Sequence, residues 1–169
     1  MAKLGKSKKL NKTFWKNKRI LVTGHTGFKG SWLVIWLENL GAEVYGISNE
    51  INHKPSLFET ANISKLCNSF FCDIRNHEEL NQNVKIINPE IIFHLAAQPL
   101  VKESYEDPLN TFSTNIMGSV NLFNISREID NLKSIIAITT DKVYKNKEWQ
   151  FPYREIDELG GIDPYSASK

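Results

Sequence analysis

Tyr165 and Lys169 stand four residues apart in "YSASK". On a helix that spacing puts both side chains on one face, with Cβ atoms about 5–6 Å apart. A lysine beside a tyrosine favours the phenolate and makes the phenol a usable base near neutral pH. Upstream, "TTDKVY" offers a hydroxyl at Thr140 that could hold the same substrate oxygen, then an acid and a base, Asp141 and Lys142. Tyrosine, lysine and hydroxyl together suit hydride transfer from a secondary alcohol to a nicotinamide. An acid–base pair beside them suits elimination of water.

A second constellation, "GHTGFKG", places Gly24, Gly27 and Gly30 between an apolar run and an amphipathic one. Gly24 permits a tight turn, Gly27 lets backbone approach a pyrophosphate, and Gly30 lets a helix pack close to a sheet. The helix N-terminus supplies N–H donors and partial positive charge to phosphates. The spacing is G-x-x-G-x-x-G, not the G-x-G-x-x-G of many dehydrogenases. Lys29 adds a cation where a dinucleotide carries two negative charges. His25 either donates from its ring to a phosphate or ribose oxygen or caps the turn. After the next apolar run, Ser48 and Asn49 occupy the place of the usual ribose-binding carboxylate, with Glu50 one step beyond, so this position does not choose between NAD and NADP. Asp73 is a candidate to face the adenine, to cap the helix that follows, or both.

These groups need a scaffold that gathers them. Short β-rich runs alternate with longer amphipathic ones: strands at 19–23, 42–48, 68–74, 90–98 and 134–141, and helices at 29–40, 76–88 and 107–129. One helical turn is expected within 54–63. Asp107 and Pro108 read as the N-cap and first position of the longest helix. Strict alternation implies right-handed crossovers and a parallel sheet, with ligands at the carboxyl ends of its strands. Each polar motif falls at such an end.

Composition sets outer bounds. The chain has 169 residues, 41% hydrophobic and 24% charged, with a formal net charge of +2, as expected of one soluble domain. Lys3, Lys6, Lys8, Lys9, Lys12, Lys16, Lys18 and Arg19 come with no acid among them, leaving a net acidic remainder. That basic arm reads as a solvated extension, with Phe14 and Trp15 docking it on the first strand; no motif for nucleic acid accompanies it. Cys67 and Cys72 lack the partners of a zinc site or disulfide framework, so no metal is expected and both read as packing residues in a reduced, cytoplasmic setting. No apolar run reaches membrane-span length, and no apolar segment of a secretory signal follows the basic start.

Taken together, "VTGHTGFKGSWL", "HLAAQPLV", "TTDKVY" and "GGIDPYSASK" resemble the extended short-chain dehydrogenase/reductases of the NAD-dependent epimerase/dehydratase type, and within them the CDP-glucose 4,6-dehydratases. The resemblance runs from about Phe14 to Lys169. Epimerases of that family usually follow the hydroxyl residue with small apolar groups, and the dTDP-glucose enzymes have Asp-Glu where this sequence has Asp141-Lys142. The resemblance implies NAD lying along the glycine turn (Gly24, His25, Gly27, Phe28, Lys29, Gly30), then Asp73 and Ile74, then Leu95, Ala96, Ala97 and Gln98, with Thr114 and Asn115, Tyr165 and Lys169 on the nicotinamide side. His94 reads as packing under the sheet.

It implies a cytoplasmic, homo-oligomeric enzyme turning CDP-glucose into CDP-4-keto-6-deoxyglucose for the deoxysugars of bacterial surface polysaccharides. Tyr165 would deprotonate the 4-hydroxyl, Lys142 remove the C5 proton, and Asp141 protonate the departing 6-hydroxyl. Members of that family are longer. The sequence therefore reads as an N-terminal portion, inactive alone. It comprises the arm (1–18) and an incomplete Rossmann-like domain (19–169): α/β, doubly wound, strand order 3-2-1-4-5, truncated after the fifth strand, substrate domain absent. The alternatives are another sugar-nucleotide dehydratase or epimerase, and an inactive dinucleotide-binding fragment.

Overall fold

The computed structural model describes residues 11–51 and 54–169; Lys3, Lys6, Lys8 and Lys9 of the basic arm lie outside the described residues. Five strands form one parallel sheet: β1 (Arg19–Thr23), β2 (Glu43–Ser48), β3 (Asn68–Phe71), β4 (Ile91–His94) and β5 (Ser134–Ala137), in the order β3-β2-β1-β4-β5. The expected order is what the chain adopts. The first crossover is α2 (Phe28–Asn39), the second contains the single turn α3 (Leu57–Thr60), and the third is α4 (His77–Ile87). The fourth crossover begins with α5 (Val101–Glu106), a helix in a stretch that carried no helical signal, and continues through α6 (Pro108–Phe112) and α7 (Gly118–Ser126). Asp107 caps α6 by accepting from the Asn110 amide at 2.9 Å, with Pro108 in the first turn. Between α6 and α7, Ser113–Met117 widens into a π-helical segment, a distortion that often marks functional sites.

The period of two along β1 divides its side chains between two cores. Leu21 joins Ile47, Ile92, α4 and α7 on one face, whereas Ile20 and Val22 join Val34, Leu37, Val44 and Phe58 under α2 on the other. Each fully buried aliphatic of this size stabilises by about 1.5–3 kcal/mol.

Ahead of β1, α1 (Lys12–Trp15) is a single turn capped by Asn11. Trp15 docks, but on Phe93 of β4 and the α2-side core. Phe14 stays half exposed, edge-on to Trp15 with the Lys18 ammonium 5.0 Å above its ring. Lys18 pairs with Glu90 at 3.2 Å, and Lys133 reaches the same carboxylate at 2.7 Å; together they hold the Glu90 carboxyl below its usual range. No helix among the described residues is long and apolar enough to cross a membrane.

β5 is shorter than the apolar run that encodes it. Beyond Ala137 only the Ile138 amide continues the ladder, to the His94 carbonyl. Thr140 then caps a 3₁₀ turn, Asp141–Val143. The last helical turn, α8 (Pro164–Ala167), carries Tyr165 and is closed by a reciprocal capping box between Asp163 and Ser166. It packs against α5, α6 and the Asp141–Val143 turn.

Candidate active site

The glycine turn sits between the carboxyl ends of β1, β2 and β4. Gly24 adopts φ +73° and donates its amide to the Ile47 carbonyl at 2.7 Å. A Cβ on it would lie 2.8 Å from the Ala96 nitrogen, and one on Gly30 only 2.1 Å from the Gly24 carbonyl oxygen. Both positions therefore need glycine, the first for the turn and the second for the close approach of α2. A Cβ at Gly27 would meet only the Gly24 oxygen, at 3.3 Å, so its outer side is open. Gly27 is the N-cap of α2 without a side-chain cap, and no acid occupies the first turn. The amides that begin α2 are thus offered to an anion. These features fit a dinucleotide's pyrophosphate, with the exposed Phe28 and Lys29 at the rim.

His25 corrects one expectation. Its ring does not face the turn's outer side. It is fully buried, with Nδ1 2.9 Å from Ser48 Oγ and Nε2 3.0 Å from Ser69 Oγ, and it meets Phe58 edge-on. Burial lowers its pKa to about 4. With both ring nitrogens used inside the protein, His25 buttresses the turn against β2 and β3 instead of donating to a ligand. Ser48 extends the buttress by accepting from the Thr26 amide at 3.3 Å.

Beside it, Asn49, Glu50, Phe71, Cys72, Asp73 and Glu79 line an open groove of about 330 Å³ at the ends of β2 and β3. Asp73 lies in this groove, but Asn76, not Asp73, caps α4 by accepting from the Glu79 amide. Instead Arg75 grips Asp73 through Nε at 3.0 Å to both carboxylate oxygens and reaches Asn110 at 2.8 Å. The Arg75 hydrogen bonds hold the Asp73 carboxyl below its ordinary range against the opposing effect of burial. Ile74 turns into the core, its carbonyl accepting from Asn121, so its side chain does not line the groove. A larger open cleft, about 380 Å³, lies along α2 between Phe28, Trp32 and Trp36; none of the expected acid–base groups lines it.

On the other side of the turn, Thr23 and His94 are register partners across β1 and β4. Thr23 Oγ1 lies 2.7 Å from His94 Nδ1 and accepts from the Leu95 and Ala96 amides, each at 3.2 Å. His94 Nε2 reaches Ser119 Oγ at 2.9 Å. Burial, with the Lys169 charge nearby, lowers the His94 pKa to about 4. His94 packs as expected, and Leu95 and Ala96 run directly over Gly24 with Ala97 following. Gln98 is turned inward: its amide nitrogen donates to Thr111 Oγ1 at 2.9 Å and the Leu100 carbonyl at 3.1 Å, and its oxygen accepts from the Leu100 amide. Its side chain shapes the loop and is not presented to a cofactor.

Asn115, in the π-helical segment, accepts from the Gln98 amide at 2.8 Å and donates to the Gln98 carbonyl and to Ser168 Oγ. Thr114 sits half-buried beside it. Ser168 in turn donates to the Tyr165 carbonyl at 2.7 Å. Tyr165 is half-buried, and burial pulls the Lys169 ammonium below its ordinary pKa. Thr140 Oγ1 donates to Asp141 at 3.1 Å, so its proton is committed to the neighbouring acid; Asp141 and Lys142 are exposed. Burial pulls the Asp163 carboxyl upward, but Ser166 and the Lys142 charge hold it below its usual range.

The packing of α8 on the Asp141–Val143 turn therefore brings the two sequence-predicted catalytic segments together, at the same strand ends as the glycine turn. Arg75, Ser69 and Ser168 were missed in the sequence. Arg75, two residues from a candidate carboxylate, carried a usable signal. Ser69 and Ser168 carried none, because their partners are remote in sequence.

The sequence matches the family of GDP-mannose 4,6 dehydratase over residues 21–169. It is 49% identical over 160 residues to the CDP-glucose 4,6-dehydratase of Salmonella typhimurium, covering 95% of this chain and 45% of that one. The fold is similar to that of the UDP-glucose 4-epimerase of Thermus thermophilus in complex with NAD, with TM-score 0.78, 32% identity, and coverage of 89% of this chain and 47% of that one. The Thermotoga maritima UDP-glucose 4-epimerase, solved with UDP-glucose, gives TM-score 0.79 at 31% identity, again covering 89% and 47%. The chain spans about half the length of the relatives it matches.

Proposed function

The chain belongs to the GDP-mannose 4,6 dehydratase family, and from that premise we propose that it serves the NAD-dependent dehydration of CDP-glucose to CDP-4-keto-6-deoxyglucose. The observation that carries this reading is the packing of the turn that holds an acid–base pair, Asp141–Lys142, against α8, which carries Tyr165 and ends at Ala167, before Lys169. Inverting or oxidising one carbon needs only the second pair; removing water from the next two carbons needs both. The 49% identity to a CDP-glucose 4,6-dehydratase supports the choice of CDP-glucose.

The glycine turn, the amides that begin α2 and the groove at Asp73 would hold NAD. Bound there, NAD would supply the hydride acceptor for oxidation at C4 and the hydride for reduction at C6. Tyr165 takes the proton of the 4-hydroxyl as the general base. The C4 ketone acidifies the C5 proton, which Lys142 removes. Asp141 gives a proton to the 6-hydroxyl, which leaves as water, and once C6 is reduced Lys142 returns its proton to C5. Tyr165 holds the C4 oxygen throughout and so keeps the ring in register for the second pair.

The test is incubation of the full-length protein that carries this segment with NAD and CDP-glucose, followed by NMR of the sugar. The expected product is a 4-keto-6-deoxy sugar, formed without net consumption of NAD. A product epimerised at C4 and still hydroxylated at C6 would overturn the reading. A second reading, dinucleotide binding without turnover, is favoured by the glycine turn and the uncapped amides that begin α2. It is met if calorimetry shows NAD binding while no sugar product forms.

A further inference from the structure

The chain leaves the Asp141–Val143 turn on an excursion that closes on itself. The Gly160 amide donates to the Val143 carbonyl at 2.8 Å and the Lys145 amide to the Glu158 carbonyl at 2.9 Å. Tyr144 and Leu159 form an antiparallel bridge. Within the excursion Tyr144 stacks on Tyr153, centroids 5.1 Å apart and planes within 4°. The neck thus returns beside the residue where it started, directly after Lys142.

The next residue meets α8. A Cβ on Gly161 would fall 2.5 Å from the Ser166 carbonyl carbon and 2.6 Å from the Ala167 nitrogen. Both are main-chain atoms, so no side chain can rotate aside. The α8 turn is held by its capping box, by Asn115 through Ser168, and by α5 and α6. The excursion is largely exposed. When the two are forced apart, the neck moves and α8 stays.

The geometry points to Gly161 as the positioning residue that sets the span between Asp141–Lys142 and Tyr165–Lys169, by seating the closed neck main chain on main chain against α8. The inference rests on the dehydratase reading above. The two pairs act on neighbouring carbons of one sugar ring, so an error in their span falls on the second step. Hydride transfer at C4 depends on α8, which stays. Proton removal at C5 depends on Lys142, which is carried with the neck. Lys142 already acts electrostatically on Asp163, the residue that opens α8, so the two segments are coupled in charge as well as in contact.

The test compares Gly161→Ala with the unaltered protein, supplied with NAD and CDP-glucose. The expected result is a roughly ten- to hundredfold loss of kcat, as for a misplacement of about 1 Å, with KM for the sugar nucleotide changed by less than about threefold. Reduced nicotinamide should accumulate on the protein, and C5 proton exchange with solvent should slow more than oxidation at C4. If Gly161→Ala lowers the unfolding midpoint, Gly160→Pro carries the test instead: it removes the amide that closes the neck and adds nothing against α8. Lys145→Ala, which loses only the exposed pair with Glu158, should leave kcat within about twofold. Unaltered kcat in both glycine variants, or equal slowing of C4 oxidation and C5 exchange, overturns the positioning role while the dehydratase reading stands. No turnover by the unaltered full-length protein overturns that reading and this inference with it.

Discussion

Asn115 Nδ2 donates to Ser168 Oγ at 2.8 Å, joining the π-helical segment to the C-cap of α8, the turn that carries Tyr165. The same carboxamide brackets both main-chain groups of Gln98. Asn115→Ala leaves those groups buried and unpaired, at a cost of about 2–4 kcal/mol. Asn115→Asp keeps the acceptor for the Gln98 amide but loses both donated bonds, so it should also destabilise. Thermal unfolding checks both variants; an unchanged midpoint in Asn115→Ala would show that the clamp contributes nothing.

Acid should weaken the fold through two imidazoles. His25 and His94 are buried neutral, each with its pKa lowered from 6.5 to about 4. Between those values the unfolded chain binds protons that the folded chain does not. The stabilisation is therefore complete above pH 6.5 and is lost as pH falls toward about 4. Each group contributes a slope of at most about 1.4 kcal/mol per pH unit. Unfolding midpoints across that window should fall together with pH; a flat profile would mean the rings are charged or exposed.

The sheet order and the glycine turn were legible because they depend on local signals, apolar runs of period two and glycines at fixed offsets. The seat of His25 was not, because Ser48 and Ser69, which take its nitrogens, sit on two other strands. Gln98 failed for the same reason: its partner Thr111 is a helix away. Asp73 was offered as a cap for the following helix, but Asn76 stands closer to the first turn of α4 and caps it. The helix α5 was invisible because "VKESYE" has too few apolar residues to show a helical period.

The acids that line the groove at the ends of β2 and β3 are expected to disfavour NADP, although Arg75 partly offsets Asp73. Glu50, Asp73 and Glu79 line it together, and a ribose 2′-phosphate placed there would face like charge. Glu50→Gln should narrow the preference by about tenfold, equivalent to about 1.4 kcal/mol. Calorimetric titration with both dinucleotides gives the ratio. Equal binding by the unaltered protein would remove Glu50 from cofactor selection.

Lys142→Ala should abolish water elimination yet leave oxidation at C4 partly intact. The residue sits on the 3₁₀ turn after β5, whereas Tyr165 and Lys169 are held by α8, Asn115 and the capping box. Exchange of the C5 proton with deuterated solvent isolates its step. Exchange at the unaltered rate would assign the base to another group.

The last expectation concerns association. Phe112, Ile116, Val120 and Phe123 recur at helical spacing along α6 and α7 and are 37–49% exposed. Next to them, among the described residues β5 pairs only with β4 and has an open outer edge, an arrangement that invites pairing with another chain. A continuous apolar stripe of a few hundred Å² left in water forfeits several kcal/mol, at about 25 cal/mol per Å². That is a large share of a domain stability of about 5–15 kcal/mol. The 169-residue chain should therefore self-associate or loosen at concentrations where a well-covered domain stays monomeric. Val120→Glu with Phe123→Lys places charge in the stripe without touching the buried Leu122 and Ile125, and should shift the population toward monomer. Sedimentation velocity over a range of concentrations reads both effects. A monomer at every concentration, with a sharp thermal transition, would mean that the stripe and the open edge are tolerated by the chain as it stands.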